Sequence, residues 1–296
     1  MADGGGEEPE ELSDKQKAEI ARWFLTSAPA GEIQYVAKDV RSILGDDKIY
    51  ELAAAEAFPV YNKTHFIALQ MPDRSGDVLI TTYGELDKNN YLDPRTAQVA
   101  TVDHAKQVCT SLRPANDEEL PSAYVEEFRR RIGPMCLLLP LQHLKKEEDT
   151  REKLRGSLDA ELSKYVAETY PKGTCAVYST SGKDSEGPGV DFEFAVVISA
   201  AKHSPQNFCN GSWRSIWTVD FKDDTQIVEI KGKIQVVAHY FEEGNVQLDA
   251  KNECKDSTIF QDLRRKLPVT RTLFPWQNTI QFSLTKDINK ELGIGK

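Results

Sequence analysis

The sequence predicts an α+β protein: a three-helix bundle at the N-terminus, a five-strand antiparallel meander in the second half and an amphipathic helical tail. Three observations predict it. Apolar residues recur at helical spacing in three short runs before residue 60, β-rich runs alternate with turn residues between 174 and 249, and a basic amphipathic stretch follows Leu263. The 296 residues divide on this reading into an acidic disordered tail (1–12), a helical stalk (13–60), a small sheet with connecting helices (61–170), the meander sheet (171–262) and the basic tail (263–296).

Ser13 opens the first helix, because Gln16 three residues on completes a capping box; Ile20 and Phe24 share one face, and Pro29 stops the run. In the second, Ile33, Val36, Ala37, Val40, Ile43 and Leu44 make a broad apolar stripe, and Gly45 suits a left-handed C-terminal cap. The third is predicted from Asp47 to Phe58, ending before Pro59. Short links between three short helices favour a bundle. From Phe66 the period shortens: Phe66–Gln70 and Val78–Thr82 flank the turn Pro72–Asp77 and predict a small sheet. Residues 112–155 are charge-rich with weak periodicity, after which Leu154, Leu158, Leu162 and Val166 predict a helix ending near Pro171.

Five β-rich runs follow, Thr174–Ser179, Val190–Ala200, Trp213–Phe221, Gln226–Tyr240 and Asn245–Asp249, with links short enough for an antiparallel meander. Strand alternation puts Phe192, Phe194, Val196 and Ile198 on one face of the second strand. It puts Trp213, Trp217, Val219 and Phe221 on one face of the third, with Arg214 and Asp220 opposite. Such an apolar face requires a helix or second sheet across it.

The tail differs from the body in charge. Seven basic and two acidic residues between Leu263 and Lys296 give +5, leaving −15 on the rest of a chain whose total is −10. Trp276, Ile280, Leu284, Ile288 and Leu292 recur every four residues as one slowly drifting helical stripe, with Lys286 and Lys290 largely opposite. Three readings stay open for this segment: a helix docked on the chain's own sheet, a helix on a membrane surface, and an anchor for a groove on a partner protein.

The net charge of −10 and pI of about 5.2 disfavour a surface built for nucleic acid or anionic lipid; an anionic partner must meet a local basic patch. With 40% hydrophobic and 28% charged residues, the chain has globular composition. The longest apolar run, Met135–Leu141, is interrupted by Pro140 and far below the ~18 residues of a bilayer span. The acidic start is unlike a signal peptide, and five cysteines without a C-x-x-C pair suit a reducing, cytoplasmic compartment. Five dispersed histidines (65, 104, 143, 203, 239) lack zinc spacing, Ser181-Gly182-Lys183-Asp184 lacks the glycine spacing of a phosphate loop, and no G-x-S-x-G occurs. Neither a metal, a cofactor nor an enzymatic activity is expected.

Several strings have the character of family motifs: Val78–Thr81 with Tyr91–Arg95, Tyr170–Gly173, Asn207–Ser215 containing N-G-S-W-R-S, His239–Leu248, and Leu263–Thr272, L-R-R-K-L-P-V-T-R-T. On these the chain resembles the alpha subunit of F-actin-capping protein, in a plant form. The resemblance implies an α+β fold with an N-terminal stalk, a central sheet that continues into a beta subunit as an obligate heterodimer, and a mobile tail. It implies calcium-independent binding to the barbed end of actin filaments, which blocks subunit exchange there without catalysis, nucleotide or metal. Carried onto matching positions, Arg264, Arg265 and Arg271 would meet acidic actin surface, and Trp276, Ile280, Leu284 and Ile288 would add apolar contact. Acidic phospholipids are implied inhibitors competing for the same cations, and the implied setting is the cytoplasmic actin cytoskeleton. The alternative is a soluble interaction protein, or a shortened variant that does not cap, whose tail helix docks on its own sheet.

The family pattern has a long helix between the last strand and the L-R-R motif, where this chain has only Asp249–Asp262, room for about three turns. The apolar sheet face is therefore expected to lose its cover. Four uncovered large side chains would forfeit roughly 6–12 kcal/mol, so the chain alone is expected to be insoluble or dye-binding, and its dimer weaker than that of the full family pattern.

Overall fold

The computed structural model describes residues 12–116, 119–120, 145–180, 192–222, 227–242 and 244–255, all within 1–256, the first of the chain's two units. Its helices start where the sequence chemistry places them. Ser13 and Gln16 form the reciprocal capping box ahead of α1 (Asp14–Thr26), and Gly45, at φ 63°, ends α2 (Ile33–Leu44) in the left-handed region. Asp46 Oδ1 accepts from the backbone N–H groups of Lys48 and Ile49 to start α3 (Asp47–Thr64).

The third helix corrects the expectation of an end before Pro59. Pro59 lies inside it, and the turn beyond carries Tyr61 and Asn62, both fully buried. A buried tyrosine and asparagine outweigh the one backbone hydrogen bond that proline removes. Leu25, Ile33, Ala57, Phe58 and Tyr61 form one apolar cluster of the bundle, and Ala21, Val40 and Ala53 belong to another.

Strands β1 (Ala68–Gln70) and β2 (Asp77–Leu79) pair as expected, in shorter form. A three-stranded antiparallel sheet follows that the sequence reading lacked: β3 (Asn90–Asp93), β4 (Gln98–Asp103) and β5 (Val108–Pro114). Helix α4 (Lys145–Thr169) confirms the helix before Pro171. Of its predicted stripe, Val166 is buried and Leu162 packs beside it, whereas Leu154 is exposed and the buried face of the first half is made by Glu152, Arg155 and Asp159.

The meander is present in full, with strand order β10-β9-β8-β7-β6: β6 (Thr174–Thr180), β7 (Phe192–Ser204), β8 (Cys209–Lys222), β9 (Ile227–Tyr240) and β10 (Val246–Lys255). Val196 pairs with Trp217 and Phe194 with Val219, so the two predicted apolar faces are one. Gly232 opposes Trp217 there, and only a residue without Cβ fits: an added Cβ would lie 2.2 Å from the indole. The expected loss of cover is corrected. Phe194, Val196, Ile198, Trp217, Ile234 and Val236 are all buried, and α4 packs Val166 and Leu162 against Ile198, Cys175 and Trp213. No described helix is long and apolar enough to cross a membrane.

Candidate functional site

Arg264, Arg265, Arg271, Trp276, Ile280, Leu284 and Ile288 lie outside the described residues. The motif strings within them converge on two places: the junction between bundle and sheet, and the edges of the sheet.

At the junction, Glu32 precedes the first turn of α2 without capping it. Its carboxylate Oε1 instead accepts from Asn210 Nδ2 at 2.7 Å and from His239 Nδ1 at 2.6 Å. Asn210 Oδ1 in turn accepts from the Ser204 N–H at 2.9 Å, and His239 Nε2 faces the Asn245 amide at 2.9 Å. Asn210 belongs to N-G-S-W-R-S, and His239 and Asn245 to the His239–Leu248 string. The loop before Glu32 is held by Tyr61, whose hydroxyl donates to Pro29 O at 2.7 Å and accepts from Gly31 N–H at 2.9 Å. Burial pushes that hydroxyl up to about 12. Gly31 has φ 78°, and a Cβ there would fall 1.8 Å from the His203 ring.

The second attachment joins β8 to the end of α3. The guanidinium of Arg214, the arginine of the same motif, donates through Nη1 to the carbonyl of Thr64. The last-turn carbonyls of a helix lack intrahelical donors and carry partial negative charge, so a buried cation there is compensated. Burial lowers the Arg214 pKa. His65 stacks on Tyr61 with ring centroids 4.1 Å apart; burial first, then the Arg214 charge, push it down to about 3.

The two sheet edges differ. At β6, the Val177 N–H donates to Asp159 Oδ1 at 3.2 Å and the Val177 carbonyl accepts from Arg155 Nη1 at 3.0 Å, so α4 side chains take both backbone groups at the middle of this edge strand. Asp159 is itself held by Arg95, of the Tyr91–Arg95 string, through Nε at 2.6 Å and Nη2 at 3.1 Å. On its far side β10 pairs with no strand among the described residues, and its Val246 and Leu248 are exposed. An open edge of ten residues is a template for a further strand. The bundle also presents large apolar side chains to solvent: Trp23 is 62% exposed, Tyr35 67%, Ile43 84% and Leu52 61%.

A cavity of about 410 Å³ between α3 and the β4–β5 region is lined by Phe58, Pro59, Lys88, His104 and Thr110, without a paired nucleophile and base. No group of acidic, histidine or cysteine side chains suited to a metal occurs among the described residues.

The family model described as F-actin capping protein alpha subunit matches residues 21–134 and 138–262. The chain belongs to that family. It is 54% identical to the F-actin-capping protein subunit alpha of Arabidopsis thaliana, over 97% of this chain and 96% of the relative, as expected of a plant form. To the Dictyostelium discoideum protein of the same name it is 33% identical, over 94% of this chain and 99% of the other. The solved homodimeric actin capping protein alpha subunit from Plasmodium berghei shares the fold, with TM-score 0.58 and 20% identity over 82% of this chain and 78% of that one. The Arabidopsis alignment has 323 positions, more than the 296 residues here, so that relative carries segments without a counterpart in this chain. Covering 97% of the chain, it also takes in most of 263–296.

Asn210, Arg214 and His239 stand inside strings that carry the resemblance, yet their partners Glu32 and Thr64 lie in no such string. Asp159 and Arg155 were likewise hidden beside the leucine stripe of α4. The legible signal was the polar face of β8, where Arg214 and Asp220 alternate with tryptophans.

Proposed function

We propose that this chain is the alpha half of a heterodimer that binds the barbed end of actin filaments and blocks subunit exchange there, independently of calcium, in the cytoplasmic actin cytoskeleton. The observation that carries the reading is the asymmetry of the sheet: α4 takes the mid-strand backbone groups of β6, β10 pairs with no further strand among the described residues, and the bundle fastened to β8 and β9 exposes Trp23, Tyr35 and Ile43. A beta subunit adding its strands to β10 and its helices to that bundle would bury both. Relatives named F-actin-capping protein subunit alpha support it.

In this function the chain holds a surface rather than performs a reaction. Arg264, Arg265 and Arg271 would meet acidic actin, Trp276, Ile280, Leu284 and Ile288 would bury their stripe on the terminal subunits, and acidic phospholipids would compete for the same cations. Co-purification with a plant beta subunit followed by pyrene-actin elongation tests it. The expected result is a stoichiometric complex that stops barbed-end growth, and no complex, or a complex without effect in excess over ends, would refute it.

A further inference from the structure

The two apolar clusters of the bundle, one around Leu25 and Phe58 and one around Ala21 and Val40, contain no residue of β6–β10. The bundle has its own cores and the sheet has others. Between them stand polar contacts that join residues far apart in sequence: Asn210 and His239 are 178 and 207 positions from Glu32, and Arg214 is 150 from Thr64. Apolar contacts are non-directional and tolerate sliding, whereas hydrogen bonds to a carboxylate or a helix terminus fix distance and angle. The two attachments also sit at different helix ends, the start of α2 and the end of α3. One attachment would let the bundle pivot and two would leave rotation about the line joining them; the close approach of Gly31 to the His203 ring on β7 is a third point that removes it, and Tyr61 stiffens the loop carrying Glu32.

We infer that Glu32 and Arg214 are positioning residues that lock the bundle at one angle on the sheet, so that its exposed apolar side chains Tyr35 and Ile43 and the edge of β10 meet the partner subunit in one fixed relation. This rests on the dimer reading above. Neither residue touches the partner in this proposal; each acts through the element it holds.

The test uses the full chain with nitroxide labels on non-canonical amino acids at Ile43 and Lys251, both exposed, and pulsed EPR distance distributions. Beta-subunit affinity and melting temperature are measured on the unlabelled variants, because Ile43 and Lys251 lie on the surface proposed for the partner. Glu32→Ala and Arg214→Met are each expected to broaden the distribution and to weaken beta-subunit binding about tenfold or more, the scale of a charge-assisted hydrogen bond. Glu32→Gln, which keeps an acceptor for Asn210 and His239, is expected to restore the wild-type width and affinity. Should Arg214→Met fail to fold, Arg214→Lys, which keeps one charged donor, is read in its place with the same expectation of a broader distribution. A lower melting temperature with wild-type width would overturn the inference, and so would a broad distribution with unchanged affinity. If the wild-type chain binds no beta subunit, the dimer reading falls. The widths measured on the chain alone then decide the lock: broadening in Glu32→Ala supports it, and wild-type width overturns it.

Discussion

Acidification should loosen the bundle–sheet junction through His65. Its Nδ1 is buried without a hydrogen-bond partner among the described residues, its ring stacks on Tyr61, and the Arg214 guanidinium opposes its protonation. The folded chain therefore holds His65 neutral down to about 3, against an ordinary value of 6.5. The folded pKa is depressed, so below pH 6.5 the unfolded chain takes up a proton that the folded chain refuses. The stability contribution is complete above pH 6.5 and is lost progressively as pH falls toward 3. From pH 7 to pH 5 the loss is about 2 kcal/mol at most, at ~1.4 kcal/mol per pH unit below 6.5. Burial lowers the pKa of His104 and His203 as well, so the comparison must isolate one ring. His65→Phe keeps an aromatic on Tyr61 and removes the titration. Urea unfolding at pH 7 and pH 5 should show the wild type losing about 2 kcal/mol more than the variant. In the wild type, the His65 ring protons should not titrate by NMR between those pH values. Equal pH sensitivity in both proteins, or a His65 titration centred near 6.5, would refute the reasoning.

Gly232→Ala should destabilise by about 1–3 kcal/mol, because the new methyl meets the Trp217 ring at 2.2 Å; an unchanged melting temperature would contradict the tight packing of that face. Asp159→Asn, which leaves Arg95 without its carboxylate and loosens α4 from β6, should cost about 3 kcal/mol in chemical denaturation, and a cost near zero would show that the pair does not hold this edge. Reversing charge at Arg265 and Arg271 together should slow association with filament ends and steepen its salt dependence, whereas Asp at Ile280 and Leu284 should speed dissociation. Single-filament kinetics separate the two, and normal end binding in both variants would make the tail a structural element of its own chain.

What the sequence disclosed depended on whether the controlling contact was local. The Ser13–Gln16 box, the Gly45 cap and the alternation that pairs Val196 with Trp217 are set within a few residues, and each was legible. Pro59 was misleading because burial of Tyr61 and Asn62, a tertiary effect, carries α3 on from Phe58 to Thr64. The three-stranded sheet escaped because its first strand is only four residues long and Asp93 and Thr96, which build the turn after it with side-chain hydrogen bonds, are residue types that read as loop. Helix α4 showed its leucines and concealed its function, since Asp159 and Arg155 are recognisable as buried only once β6 lies beside them. The junction follows the same rule. Asn210, Arg214 and His239 stood in conspicuous strings, but a partner some 200 positions away leaves no trace in local pattern.

The central claim is that this chain, joined to a beta subunit through β10 and the exposed face of the bundle, occupies barbed ends. The most direct measurement follows single actin filaments by fluorescence microscopy, with both ends visible, after adding the purified heterodimer at nanomolar concentration. The account predicts that growth and loss stop at barbed ends with or without calcium, while pointed ends continue to exchange subunits. Barbed ends that keep growing at the wild-type rate, in the presence of a heterodimer shown to be intact, would contradict it.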